Sequence, residues 1–230
     1  MKKIVIIQSN YIPWKGYFDM IAAADEFIFH DDRQYTKNDW RNRNKIKTQN
    51  GVQWLTIPVG TNEKRKISDV VISPEQRDKW QKKHWNIITA NYINAPCFSE
   101  ISSLIAPLYL EKKYTYLSQV NYDFIFTICN YLRINTKFRY SSEFNARESK
   151  NERLIDMLTQ AGATEYISGQ AAKAYIDEKK FADNRIKLTW FDHTRYPAYP
   201  QLWGDFIHKV SMLDVLFNCG KDSAKYMQNL

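Results

Sequence analysis

Residues 4–32 read IVIIQSNYIPWKGYFDMIAAADEFIFHDD, and this stretch decides the fold. Ile4-Val5-Ile6-Ile7 is a short β-branched run with no polar alternation, the pattern of a strand buried on both faces. Gln8 to Lys15 follows as a loop broken by Pro13. From Gly16 to Ala24 the apolar spacing turns helical, with Phe18, Ile21 and Ala22 on one face. Glu26-Phe27-Ile28-Phe29-His30 reads as a second strand that stops at Asp31-Asp32. Strand, loop, helix, strand is a βαβ opening, which implies parallel pairing and a right-handed crossover.

Working outward, Asn44–Lys47 and Val52–Val59 are predicted as two strands around Asn50-Gly51, a hairpin turn signal. Ser73 as N-cap, Pro74 in the first turn and Gln76 as a capping-box partner predict a helix running to about Tyr92. Two more helical patterns occupy about Ser99–Leu110 and Thr115–Leu132. Beyond them, strands are expected at Phe138–Phe144, Glu165–Ile167 and Ile186–Phe191. Helices are expected at Asn151–Gln160, closed by Gly162, at Gln170–Asp177 and at Asp205–Asn218. The expected fold is α/β: one Rossmann-like, mostly parallel sheet in a single domain, with a largely helical insertion over about 74–135.

Composition narrows the class of partner. The chain has 230 residues, 44% of them hydrophobic, enough for a real core without staples. It holds 33 Lys and Arg against 25 Asp and Glu, a net charge of +8, which favours an anionic partner without choosing among them. The 15 Tyr, 12 Phe and 7 Trp suit either core filling or a cleft that stacks and hydrogen-bonds a ligand. Cys97, Cys129 and Cys219 are sparse, odd in number and without ligand spacing, so no metal site is expected and a reducing compartment is. No apolar window approaches the roughly 18 residues of a membrane span, and no signal-peptide pattern is present, so the expected location is cytoplasmic.

The segment from Asp31 to Lys47 is the least ordinary in the chain. From Arg33 onward it carries six basic residues and one acid, Asp39. It starts at the carboxyl end of the second strand, where ligands bind in open α/β sheets. On an extended chain Arg41 and Arg43 share one face and Asn42 and Asn44 the other. Two forked guanidiniums suit a diphosphate, and Asn can meet a base, sugar or amide. Trp40 can stack on a planar group, and Tyr35 and Lys37 stand in the same run. The plainer alternative is a solvated basic loop.

The first loop, Gln8-Ser9-Asn10-Tyr11-Ile12-Pro13-Trp14-Lys15-Gly16-Tyr17, is polar and aromatic where a connector needs only turn residues. Lys15 opens the helix, where an anion is favoured. Asp31 and Asp32 are candidate general bases or, equally, structural caps. His193, within Asp192-His193-Thr194-Arg195-Tyr196, follows the last strand and is a second candidate base. His84, beside Trp80 on one helical face, reads as a core histidine, and His208 as a surface one. Ser168-Gly169 turns from strand into helix, a seat for an anion or simply an N-cap. Asp214 shares a face with Val210 and Phe217 and is expected to point inward.

Trp14-Lys15-Gly16-Tyr17 resembles in position the HxGH motif of nucleotidylyltransferases. Gly16 matches, while Trp14 and Tyr17 stand where the histidines would be. The likeness implies a nucleotide-binding architecture and argues against adenylyl transfer. The blocks Ile6–Asp19, Tyr35–Asn44, Tyr166–Gly169 and Leu213–Asn218 resemble the WbqC-like family. Members of that family are encoded in bacterial clusters for O-antigen and other surface polysaccharides, so the resemblance implies a pathway and assigns no catalytic residue. Pathway and residues together give the expected function: acyl or aminoacyl transfer to the amine of a nucleotide-linked amino sugar. Arg41 and Arg43 would hold the diphosphate, Trp14, Tyr11 or Trp40 the base, and His193 or Asp32 the amine proton. The donor would be a thioester of coenzyme A or of an acidic acyl carrier protein. Two alternatives stay open: a non-catalytic, nucleotidylyltransferase-like nucleotide binder, and a nucleic-acid binder, which no recognised motif supports.

Overall fold

The computed structural model describes residues 1–230. In chain order the elements are β1 (Lys3–Ile7), α1 (Lys15–Ala22), β2 (Glu26–Phe29), β3 (Arg43–Thr48), β4 (Gly51–Thr56), α2 (Lys79–Tyr92), α3 (Phe98–Leu110), α4 (Leu117–Tyr131), β5 (Lys137–Tyr140), α5 (Lys150–Gln160), β6 (Glu165–Gly169), α6 (Glu178–Asp183), β7 (Lys187–Phe191) and α7 (Met212–Cys219). Five strands form one all-parallel sheet in the order β5-β2-β1-β6-β7. Counted along the chain, that is third, second, first, fourth, fifth, the doubly wound order. The direction of winding reverses between β1 and β6, and crevices open beyond the strand ends at such a point.

β1 and β2 are buried on both sides because their side chains alternate between two cores. Ile4, Ile6 and Ile28 join a smaller core with Leu154, Leu158 and Phe181, from α5 and α6. Val5, Phe27 and Phe29 join a larger one with Phe18 and Ile21 of α1, Ile88 and Tyr92 of α2, Ile105 of α3, and Phe124 and Ile128 of α4. The sequence-level α/β expectation therefore holds. The region between β2 and β5 contains the β3–β4 hairpin as well as α2, α3 and α4.

Several boundaries differ from expectation. The helix predicted from Glu75 begins at Lys79, and 74–76 is a separate 3-10 turn whose Ser73 makes no side-chain cap. Residues 170–174 are also 3-10, and the helix α6 that follows was not foreseen. The last helix starts at Met212 instead of Asp205. Residues 199–210 are irregular because they wrap the hairpin. Lys47 Nζ donates to Gln201 Oε1 at 2.8 Å and to the carbonyl of Asp205, and Ser211 N–H donates to Lys45 O at 2.8 Å. No helix is long and apolar enough to cross a membrane.

Candidate functional site

The turn from β1 into α1 is where local chemistry begins to shape a site. Tyr11 is fully buried, its hydroxyl 2.9 Å from His84 Nδ1, and its N–H donates to Trp40 O at 3.0 Å. Ile12 then takes φ +40°, a left-handed conformation that a β-branched residue before proline strongly disfavours. Asn44 holds that turn, donating from Nδ2 to the carbonyls of Tyr11 at 3.1 Å and Ile12 at 2.7 Å. Met212 N–H donates to Pro13 O at 2.9 Å. The next residue, Trp14, folds its indole back over Gly16, where an added Cβ would lie 2.4 Å from the ring. Gly16 thus permits the orientation of Trp14.

The result is a cleft of about 500 Å³. Asn10, Pro13 and Trp14 form one wall, Trp40 and Asn44 a second, His193, Thr194 and Tyr196 a third, and His208, Lys209 and Val210 the last. His193 sits 5.3 Å from the Trp14 ring and 4.9 Å from the Phe191 ring. Burial lowers its pKa below the ordinary 6.5, so it is neutral at pH 7. Its Nδ1 is buried without a hydrogen-bond partner. Burial also lowers the pKa of His208, with the nearby Lys15 adding to the effect. Lys15 itself is buried, donates to Pro197 O at 2.9 Å, and lies 5.2 Å and 4.9 Å from the rings of Tyr196 and Tyr199. Burial brings its pKa down to about 8.

Of the residues singled out from sequence, Asn10, Trp14, Trp40, Asn44 and His193 meet in this cleft. Arg41 stands behind it, donating to Asn10 Oδ1 and, at 3.0 Å, to Gln8 Oε1, so its guanidinium braces the first loop. Ser9 is buried, and its N–H donates to Asp31 Oδ1 at 2.7 Å. Asp31 also accepts from Tyr122 at 2.9 Å, and burial raises its pKa. Asp32 turns away to pair with Arg153 and accepts from Ser141 at 2.8 Å. Tyr35 donates to Asn42 Oδ1 at 3.0 Å, and Asn42 donates to Ile57 O at 2.9 Å; both are buried braces of the hairpin. Arg43 lies on the outer face of β3, 4.2 Å from the Trp54 ring, and Lys37 is exposed. Tyr11 is in the core, and Ser168 and Gly169 lie outside the cleft lining.

Sequence reasoning missed Pro13, Thr194, Tyr196 and the His208-Lys209-Val210 wall. The first three lie inside segments already singled out. The last had no local signal, because a long-range pairing with β3 places it.

No solved structure matches the chain. The Mycobacterium tuberculosis protein Rv1507c, itself uncharacterized, is 47% identical over 230 residues, spanning 99% of this chain and 98% of its own length. The WbqC-like protein family matches residues 8–226, a span that takes in every wall of the cleft, and the chain belongs to that family.

Proposed function

We propose that the protein is a transferase of surface-polysaccharide assembly that moves an acyl or aminoacyl group onto the amine of a nucleotide-linked amino sugar. One observation carries this: the eleven residues lining the cleft include two indoles, two imidazoles and a lysine, and no carboxylate. Such a lining favours a ligand that is both planar and anionic. Family membership supplies the polysaccharide context. In the proposed reaction the sugar amine attacks the thioester carbonyl. A C–N bond forms, the C–S bond breaks, and the amine proton passes through His193 Nε2 to the departing sulfur. A neutral imidazole at pH 7 suits that transfer. The donor is an acyl thioester of coenzyme A or of an acidic carrier protein.

The test is to incubate the protein with dTDP- and UDP-linked amino sugars and a panel of acyl thioesters. The expected result is a mass gain on the sugar nucleotide, lost in His193→Asn. No mass gain across the panel, together with no binding of any sugar nucleotide, overturns the proposal. A second reading, a nucleotide binder without catalysis, is favoured by the commitment of Asp31, Asp32 and Arg41 to neighbouring protein groups. It predicts tight sugar-nucleotide binding, no mass gain, and unchanged surface glycan in cells carrying His193→Asn.

A further inference from the structure

The β3–β4 ribbon has two unlike faces. Asn44 and Ile46 of β3 and Leu55 of β4 are buried against the body of the protein. The opposite face carries Arg43 and Lys45 on β3 and Val52 and Trp54 on β4, with Trp54 directly across from Lys45. Arg43 lies 4.2 Å and Lys45 4.8 Å from the Trp54 ring, and Trp40 leans on the same indole at 5.5 Å. Val52, Trp54 and Trp40 are 45%, 39% and 41% exposed. Water-facing apolar side chains of this size, clustered and edged by cations, mark an interaction surface. β4 has a hydrogen-bonded strand on one side only, and residues 43–56 contain three cations and no acid.

The patch is joined to the cleft, because Trp40 belongs to both. Of its basic residues Arg43 and Lys45 face outward, whereas Lys47 is buried under residues 201–205. Two outward cations are few for a nucleic-acid backbone, whose binding rests on many phosphate contacts. Tryptophan and arginine at the centre of an exposed patch are instead the composition of a protein-binding hot spot. We propose that the outer face of this ribbon docks a small acidic protein that carries the acyl group as a thioester on a flexible arm, with Trp54 as the anchor and Trp40 guiding the arm into the cleft. This rests on the transferase reading and names the form of the donor.

The experiment uses the full chain and a purified acyl carrier protein in its holo and acyl-loaded forms. Affinity is measured by calorimetry at low and high salt for the wild type, Arg43→Glu/Lys45→Glu, Trp54→Ala, and Lys79→Glu on the exposed start of α2 as control. The expected result is carrier binding weakened at least tenfold by the ribbon variants and by high salt, and unchanged in the control. Sugar-nucleotide affinity should stay within twofold in all variants. Circular dichroism reports whether each variant is folded; if the double variant is not, Trp54→Ala alone decides. Carrier binding that survives the ribbon changes overturns the docking site. Failure to bind carrier while acyl-coenzyme A supports transfer overturns it too and leaves the transferase reading standing. Loss of sugar-nucleotide binding and of transfer from every donor defeats the transferase reading instead. Tighter binding of a single-stranded oligonucleotide, lost with the same charge reversal, would reassign the surface to nucleic acid.

Discussion

The carboxyl ends of β2 and β7 look alike in sequence and differ in kind. Each ends in a histidine beside an aspartate, His30-Asp31-Asp32 in one case and Asp192-His193 in the other. At β2 the space is filled. Asp32 pairs with Arg153, Arg153 also donates to the carbonyls of Ala146 and Arg147 at 3.1 Å and 3.2 Å, and His30 Nε2 rests 3.7 Å from Asp32. Burial, with Arg33 and Arg153 close by, pushes the His30 pKa down to about 3. At β7 the histidine stands against Trp14 on an open cleft. A strand end is a place where chemistry can happen, and a cavity decides whether it does.

Breaking the two ends separately should have opposite consequences. Arg153→Ala leaves the Asp32 carboxylate unpaired in a largely enclosed setting, so denaturant unfolding should show a loss of about 3–5 kcal/mol. Ligand affinity of the protein that remains folded should not change. His193→Asn should change stability by less than about 1 kcal/mol while reducing transfer by roughly 100-fold, read as kcat. Equal stability losses in the two variants would erase the distinction.

Protonation sharpens the comparison. His84, fully enclosed beside Tyr11, has its pKa pushed to about 3 by burial, below the ordinary 6.5. A base depressed in the folded state adds stability that is complete above the unfolded value and is lost as pH falls from 6.5 toward 3. The stability advantage of wild type over His84→Gln should therefore shrink by on the order of 2 kcal/mol between pH 6.5 and pH 5. Taking that difference removes the opposing contribution of Asp31 and Asp214, whose raised pKa values favour the fold at lower pH. An acylating imidazole reagent at neutral pH should label His193 and spare His30 and His84. The smallest effect belongs to Trp40→Ala. The residue is 41% exposed, so stability should stay within about 0.5 kcal/mol, and affinity for a nucleotide should fall by about tenfold.

Much of the fold was legible because it rests on local pattern. The two-sided burial of Ile4–Ile7 follows from an unbroken β-branched run, and the hairpin from Asn50-Gly51, where Gly51 takes φ +94°. The placing of Arg43 outward and Asn44 inward also follows from strand geometry, whereas Arg41, expected on the face of Arg43, is instead drawn in against Gln8 and Asn10. The site was legible only in part. Tyr11 and Asn42 have the chemistry of ligand contacts, and nothing local says that His84 and Tyr35 engage them first. The His208–Val210 wall is held by contacts on both sides of it, Lys47 with Gln201 and Asp205 and the Ser211 N–H with Lys45 O, pairings across more than 150 residues that no periodicity announces.

Asp19 has a consequence in time. It is fully buried on α1, and its carboxylate accepts from the Tyr196 hydroxyl at 2.8 Å, from Gln228 N–H at 3.1 Å and from Asn229 N–H at 2.8 Å. A ribosome delivers Asp19 first and its partners some two hundred residues later. During synthesis the early βαβ unit therefore has a buried-to-be carboxylate without its partners and only one of the four cleft walls, that of Asn10, Pro13 and Trp14. The cleft gains its last walls, at 193–196 and 208–210, only as the final part of the chain is made, so a ligand has a complete site only near the end of synthesis.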